Sequence, residues 1–173
     1  MPDRTNTLEG SAAVHADLWG ERARDWADVL EGWSGWGIPL YRHVLERVPA
    51  GSGTSLLDVG CGAGRFCRMA ADRGAQVAGI DATGPLVEIA RERVPDGDFR
   101  VGDMEDLPWE DDSFDLVTGF NSFFIAADMV HALREARGPT GGERGDDRLR
   151  AAREMPVHGR VQIAAAVRGL AIE

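Results

Sequence analysis

The first fifty residues carry apolar side chains at the spacing of amphipathic helices. Apolar positions between residues 11 and 30 fall near one face of a helical wheel. Residues 32–37 interrupt this pattern, and Pro39 is typical of the first turn of a second helix, which Pro49 ends. The apolar positions are Leu18, Trp19, Trp26, Val29 and Leu30 in the first segment, and Leu40, Val44, Leu45 and Val48 in the second.

From residue 54 onward, short apolar runs alternate with helical segments. The runs are short and bounded by glycine and acidic turn residues, which favours strands. We predict strands at residues 55–59, 76–80, 98–101 and 114–120. The helices predicted between and after them carry Phe66, Met69 and Ala70, then Leu86, Ile89 and Ala90 behind a Thr83 cap and Pro85, and finally Met129, Leu133 and Ala136.

This order of elements predicts an α/β fold with a doubly wound, mostly parallel sheet. Strand–helix–strand units of this length join parallel strands through right-handed crossovers, and helices cover both faces of the sheet. Such sheets bind ligands beyond the carboxyl ends of their strands, where the strand order reverses. We therefore expect the functional site in the turns that follow the strands.

A glycine-rich turn follows the first predicted strand and leads directly into a helix. Gly60, Gly62 and Gly64 alternate in this turn, and glycine permits positive φ and close approach of a ligand to the backbone. The free N–H groups of the helix start face the same crevice. Asp58 precedes the turn, and Asp81 ends the next strand about 20 residues on, where ribose hydroxyls are read.

The spacing of these glycines separates two classes of cofactor. The dinucleotide fingerprint needs a third glycine at position 65, where this chain has Arg65. The spacing therefore counts against a nicotinamide-dependent oxidoreductase, which we keep as the third interpretation of the function.

Four short segments stand in order along the predicted elements: Asp58-Val-Gly-Cys-Gly-Ala-Gly64, Gly79-Ile-Asp81, Gly102-Asp-Met-Glu-Asp-Leu-Pro108 and Ser113-Phe-Asp-Leu-Val117. In this order they resemble the motifs of class I S-adenosylmethionine-dependent methyltransferases, in the small-molecule branch with a helical N-terminal extension. The resemblance covers residues 15–137. It implies a Rossmann-like methyltransferase fold, S-adenosylmethionine as cofactor, and in-line methyl transfer to a small-molecule acceptor.

The resemblance implies roles for the turn that follows the first strand. Gly60, Gly62 and Gly64, with the small Cys61 between them, would let the amino-acid end of the cofactor lie against the turn. Asp58 would lie near that end and would orient the turn or interact with the ammonium group, through water.

The resemblance also implies roles beyond the later strands. Asp81, which only accepts hydrogen bonds when ionised, would accept them from two ribose hydroxyls, and the small Ala82 would leave room for the adenine. Asp103 would accept a hydrogen bond from the exocyclic amine of the adenine while Met104 packs on the ring. Asn121 would face the cofactor and the substrate entrance. No catalytic residue is identified.

Composition and charge exclude several classes of partner. The chain has 173 residues with 43% apolar content, which is enough for one domain with a core of its own. A net charge of −10 argues against nucleic acid as a partner. No apolar run approaches the roughly 18 residues of a membrane span, and the first ten residues lack the core of a signal peptide. We expect a cytoplasmic protein without membrane partners.

The two cysteines indicate neither a disulfide framework nor a metal site. Cys61 and Cys67 lie close together in the glycine-rich region, and no His or Cys pair stands at ligand spacing. All basic residues are arginine, which indicates a GC-rich genome.

The tryptophans and histidines leave the acceptor open. The tryptophans of the extension are interpreted first as packing residues and second as a substrate cage: Trp19, Trp26, Trp33 and Trp36. No histidine shows a partner pattern that would make it a catalytic base: His15, His43, His131 and His158.

After Arg137 the chain departs from the family pattern. A fifth strand should follow, but residues 138–150 are polar and rich in glycine. One explanation is an inserted loop at 138–147, a short helix at 149–154 and a delayed fifth strand near 160–167. The other is that part of the tail is translated out of phase. In both cases the closing strands of the fold are missing.

The chain divides into three parts within one expected domain, residues 1–173. We expect a helical lid at 11–50, a cofactor-binding core at 51–137 and an atypical tail at 138–173. An unpaired edge at strand 160–167 would favour self-association. The atypical tail is also the reason for an alternative function, that of a truncated or non-catalytic S-adenosylmethionine-binding module.

Overall fold

Four parallel strands and one antiparallel strand form a single sheet in a computed structural model, which describes residues 10–32, 35, 37–137 and 163–167. The strand order across the sheet is β3-β2-β1-β4-β5, with β5 antiparallel to β4. The strands are β1 (Ser55–Val59), β2 (Gln76–Asp81), β3 (Asp98–Val101), β4 (Leu116–Phe120) and β5 (Ile163–Val167).

Helices cover both faces of this sheet, and the predicted doubly wound α/β fold is confirmed. A short helix of the extension runs into a single π-helical turn, and a 3₁₀ turn follows β4. The helical elements are α1 (Gly10–Gly20), α2 (Ala23–Asp25), the π turn (Trp26–Leu30), α3 (Ile38–Leu45), α4 (Arg65–Ala71), α5 (Gly84–Arg93), the 3₁₀ turn (Phe123–Ile125) and α6 (Met129–Arg137).

Alternating side chains of β1 divide the core into two layers. Leu56 packs in the cluster that contains buried residues of α3, α4 and α5. Leu57 and Val59 point to the opposite face and pack with Ala132 and Ala136 of α6. The strand order β3-β2-β1-β4 also shows that the chain moves outward from β1 in both directions, so the order reverses between β1 and β4. Ligands bind at such reversals in parallel sheets.

The apolar residues of the extension are not all buried, as a single apolar face would require. Leu18 is 64% exposed and Val29 is 69% exposed, whereas the buried residues of this stretch include Ala23 and Ala27. The small alanines pack with Leu86 and Ile89 of α5. Alanine allows close approach of the two segments, and the larger apolar side chains remain at the surface.

One detail of the predicted elements also differs. Thr83 precedes α5 as its N-cap, but its side chain makes no capping hydrogen bond. The strand predicted within 160–167 is described at Ile163–Val167, at one edge of the sheet. The proposed loop and helix at 138–154 lie outside the described residues.

Gly64 provides a test of the packing between α4 and α5. Its φ is +75°, and a Cβ there would lie 2.8 Å from the Ala90 Cβ of α5. We expect Gly64→Ala to lower the free energy of unfolding by about 2–4 kcal/mol, because backbone strain and a steric clash add.

Gly53→Ala is the matched control for this variant. Gly53 has φ +85°, but a Cβ there would meet nothing within 4 Å. It should therefore show only the strain cost of about 1 kcal/mol. Urea unfolding measures both, and equal losses in the two variants would contradict the clash with α5.

Candidate functional site

A cavity opens at the carboxyl ends of β1, β2 and β4, beside the reversal of strand order. Every residue predicted for the cofactor site lines this cavity except Gly64. Gly64 instead faces Ala90, so its missing side chain serves the packing of α5. The other side of the cavity is formed by the helical extension and by the loop that follows β4.

Gly60 and Gly62 form the floor of the cavity in a conformation that other residues avoid. Their φ values are +75° and +54°. A Cβ on Gly60 would collide with Ser122, and one on Gly62 would collide with the carboxylate of Glu31. Glycine is therefore required here for its φ and for space. Cys61 between them is buried, and burial raises the pKa of its thiol.

The carboxylate of Asp81 joins the glycine turn to the end of β2. Its Oδ2 accepts a hydrogen bond from the Gly62 N–H at 2.9 Å, and its Oδ1 accepts one from the Thr83 N–H at 2.9 Å. Burial raises the pKa of this carboxyl group against the lowering effect of both bonds. Each oxygen retains a lone pair, so the fixed carboxylate can still accept two hydroxyl donors.

Asp58 is a second buried carboxyl group, at the end of β1. It is 2% exposed, and its Oδ1 accepts a hydrogen bond from the Thr118 hydroxyl of β4 at 2.8 Å. Burial raises the pKa of Asp58 to about 7, and the charges of Glu31 and Asp81 contribute in the same direction. Such a site favours a cation, because a positive charge would compensate these carboxylates.

The remaining predicted residues follow β2, β3 and β4. Gly102 donates its N–H to the Asp81 backbone oxygen at 3.1 Å, which sets the next residue, Asp103, beside the end of β2. Oδ1 of Asp103 accepts the Glu105 N–H at 2.9 Å. Met104 packs against the core layer that contains α6, and Asn121 has a positive φ of 53° in the turn after β4.

Glu31 is a site residue that sequence reasoning missed. Its side chain is buried, and Oε1 accepts hydrogen bonds from the Ala63 N–H at 3.0 Å and from the Trp26 Nε1 at 2.9 Å. Ala63 belongs to the glycine turn, so the carboxylate holds one of the N–H groups expected to face a ligand. No local pattern marks this role, because Glu31 lies 32 residues before its partner.

Two arginines complete the contact between the extension and the glycine turn. Arg93 of α5 pairs with Glu31 Oε2 at 2.6 Å and also donates to the backbone oxygens of Ala63 and Ala27, at 2.7 and 2.8 Å. Arg65 donates from Nε to the Glu31 backbone oxygen at 2.5 Å. The charge of the buried Glu31 carboxylate is therefore matched by Arg93.

Aromatic rings form much of the remaining wall. Trp19 and Trp26 of the extension line the cavity and meet edge to face, with ring centroids 4.6 Å apart. Tyr41 of α3 meets Phe120 of β4 at 4.8 Å. Trp26 also packs with the alanines of the extension, so it serves packing and the cavity together. Trp33 and Trp36 lie outside the described residues.

No described histidine takes part in the site. His43 lies on α3 with its Nε2 buried and without a hydrogen-bond partner, and His131 is exposed on α6; neither lines the cavity. The side chain of His15 and the whole of His158 lie outside the described part of the chain.

Within the described residues, no helix is long and apolar enough to cross a bilayer. Nor do His, Cys, Asp or Glu side chains gather there in a group of three or more that could hold a metal ion.

Comparisons with known proteins agree with this geometry. Residues 57–138 match the family described as "Methyltransferase domain". The demethylmenaquinone methyltransferase of Thermotoga maritima is 30% identical over 137 residues, covering 75% of this chain and 58% of that protein. The 27-O-demethylrifamycin SV methyltransferase of Amycolatopsis mediterranei is 32% identical over 128 residues, covering 69% and 47%.

A solved structure with the same fold carries a different activity in its name. The [4+2]-cyclase SpnF superposes with a TM-score of 0.62 at 26% identity, covering 76% of this chain and 57% of that one. The family match and the relatives confirm the predicted resemblance to the class I S-adenosylmethionine-dependent methyltransferases. The chain spans about half the length of the curated relatives that it matches.

The residues present fit the cofactor of this family. The backbone of Gly60 and Gly62 lines the cavity, and Asp81 offers two fixed acceptor oxygens to a pair of hydroxyl donors. The buried carboxyl group of Asp58 suits the positive charge of an ammonium or sulfonium group. The donors and acceptors of the cavity therefore correspond to those that S-adenosylmethionine requires.

The raised pKa of Asp58 predicts a pH-dependent effect of its replacement on stability. Because the pKa rises from 3.8 to about 7 on folding, the folded chain retains this proton between those pH values. The contribution of Asp58 to stability is full below pH 3.8 and is lost as the pH rises through about 7. We expect the free energy of unfolding of Asp58→Asn, measured relative to the parent, to be higher at pH 8 than at pH 5 by about 1–3 kcal/mol.

Urea unfolding at the two pH values measures this difference. Asp96→Asn, at an exposed position, is the control and should show none. An Asp58→Asn effect that is equal at both pH values would show that Asp58 is ionised throughout this range.

Proposed function

We propose that the protein is an S-adenosylmethionine-dependent methyltransferase that acts on a small molecule by in-line methyl transfer. The observation that carries the proposal is the convergence of the motif residues on one cavity, where Asp81 is fixed by two backbone N–H groups. The net charge of −10 supports a small-molecule acceptor over a nucleic acid.

Each part of the cofactor has residues suited to hold it. Asp81 would accept hydrogen bonds from the two ribose hydroxyls. Asp103 would accept one from the adenine amine, and Met104 would pack against the ring. Gly60 and Gly62 would lie against the amino-acid end, whose ammonium group Asp58 would attract.

The chain contributes alignment and exclusion of water to the reaction. When bound, the cofactor supplies an electrophilic methyl carbon attached to a sulfonium. The walls formed by the extension and by the loop after β4 would hold an acceptor in line with that carbon. Burial raises the pKa of Tyr41 well above its ordinary value, so its hydroxyl stays protonated at neutral pH and does not act as a base.

Two other functions make different predictions. A non-catalytic module would bind the cofactor without transferring its methyl group, and the short span relative to the relatives is the reason to keep this alternative. The similarity to a [4+2]-cyclase is a second reason to keep this alternative, because that protein shares the fold and is named for a different reaction. A nicotinamide-dependent oxidoreductase would bind NAD instead.

Binding followed by turnover distinguishes these functions. We expect calorimetry to show binding of S-adenosylhomocysteine and none of NAD. Transfer of labelled methyl groups from the cofactor should then appear in small molecules from an extract, and not in its nucleic acid or protein. Binding without transfer would favour the module, and binding of NAD alone would favour the oxidoreductase.

Replacement of Asp81 tests its role in reading the ribose. We expect Asp81→Asn to weaken S-adenosylhomocysteine binding by about 1–3 kcal/mol, because an amide cannot replace both acceptor oxygens. The parent chain should also bind an analogue without ribose hydroxyls less tightly than S-adenosylhomocysteine, whereas the variant should discriminate less between the two.

Asp96→Asn is the control for this measurement, and thermal unfolding checks that the glycine turn remains folded in both variants. Unchanged discrimination between the two ligands in Asp81→Asn would contradict ribose recognition by Asp81.

A further inference from the structure

One side of the cavity is left over once the cofactor residues are assigned. These remaining side chains come from the extension and from the end of β4 with its following loop, and most are apolar or aromatic. They include Trp19, Leu30, Tyr41, Phe120, Phe124 and Ile125.

The order of the strands separates the part of this side that follows β4 from the cofactor residues. Asp103 follows β3 and Asp81 ends β2, whereas Phe120 and Phe124 lie at and beyond the end of β4. Since β1 lies between β2 and β4, about 10 Å separates β2 from β4. Phe120 and Phe124 therefore lie on the opposite side of the glycine turn from the residues suited to adenine and ribose, whereas the extension, which packs on α5, spans the cavity above them.

The charges on the leftover side compensate each other. Glu31 is the acidic side chain that the extension brings to the cavity, and Arg93 pairs with it at 2.6 Å. Among the described residues, no Arg or His side chain lines the cavity. An anionic acceptor would lose its hydration there without a cationic partner, and a cationic one would find Glu31 already paired.

Large apolar side chains are exposed on this side although they line a cavity. Phe124 is 54% exposed, and Trp19 and Leu30 are each 37% exposed. The π turn contributes to this arrangement: its i→i+5 bond, from the Glu31 N–H to the Trp26 oxygen at 3.0 Å, widens the helix and brings Glu31 round beside Trp26 and Leu30. Exposed apolar side chains around a cavity are typical of a ligand site.

We propose that the methyl acceptor is an uncharged, largely apolar ring compound, bound between the extension and the loop after β4. This inference rests on the proposed function and adds the chemical class of the acceptor. The rings of Trp19 and Phe124 would cover the acceptor, and the absence of an unpaired charge on this side would select against its carboxylate and ammonium analogues.

Three naphthalene probes of nearly equal size test this proposal: naphthylmethanol, naphthoate and naphthylmethylammonium. Each is titrated by calorimetry into the full chain saturated with S-adenosylhomocysteine. We expect the neutral alcohol to bind at least about tenfold more tightly than either ion, because burial of an unpaired charge is unfavourable.

Variants locate the binding. Phe124→Ala and Trp19→Ala should each weaken naphthylmethanol binding about tenfold, since each removes a large apolar contact. Both side chains are at least one-third exposed, so truncation leaves the core intact. Val130→Ala is the control, because Val130 is 52% exposed on α6 and does not line the cavity.

The outcomes separate this inference from the proposed function. If S-adenosylhomocysteine itself fails to bind, the proposed function is wrong. If it binds and either ion matches or exceeds the alcohol, the acceptor class is wrong. Failure of the alcohol to bind the loaded chain, or loss of its binding in Val130→Ala alone, would likewise overturn the inference.

Discussion

Two carboxylates hold the glycine turn through its backbone N–H groups, and the geometry of the cavity depends on this arrangement. Asp81 accepts from Gly62, and Glu31 accepts from Ala63. The Asp81 carboxylate lies at the end of β2, and the Glu31 carboxylate belongs to the extension. The turn therefore fixes the end of β2 and the extension relative to each other. Positive φ at Gly60 and Gly62 is what lets successive N–H groups point in these two directions.

The same arrangement concentrates acidic groups in a buried place, which opposes folding. Asp58 and Asp81 both have raised pKa values because burial disfavours their charged forms. Glu31 is compensated by the positive charge of Arg93, whereas the Asp58 carboxyl group accepts a hydrogen bond from the neutral hydroxyl of Thr118. A cationic ligand would relieve this cost, so the site is organised for binding at the expense of stability.

Local pattern was sufficient for the strands and for the position of Asp81 at the cavity, because apolar runs, turn residues and a fixed spacing lie within a few tens of residues. It was insufficient for Glu31, whose partner Ala63 is 32 residues away and is met only after the extension folds back. The exposed Leu18 and Val29 were misjudged because alanines, not large apolar residues, make the close contact with α5. The antiparallel direction of β5 depends on the tail, where the motifs end.

A crystal structure of the chain with S-adenosylhomocysteine tests the central claim most directly. The account predicts both ribose hydroxyls within hydrogen-bond distance of the Asp81 carboxylate, with Glu31 still bound to the Ala63 N–H and the apolar side of the cavity open beside the sulfur. A ligand bound elsewhere, or one that displaces Glu31 from the glycine turn, would contradict it.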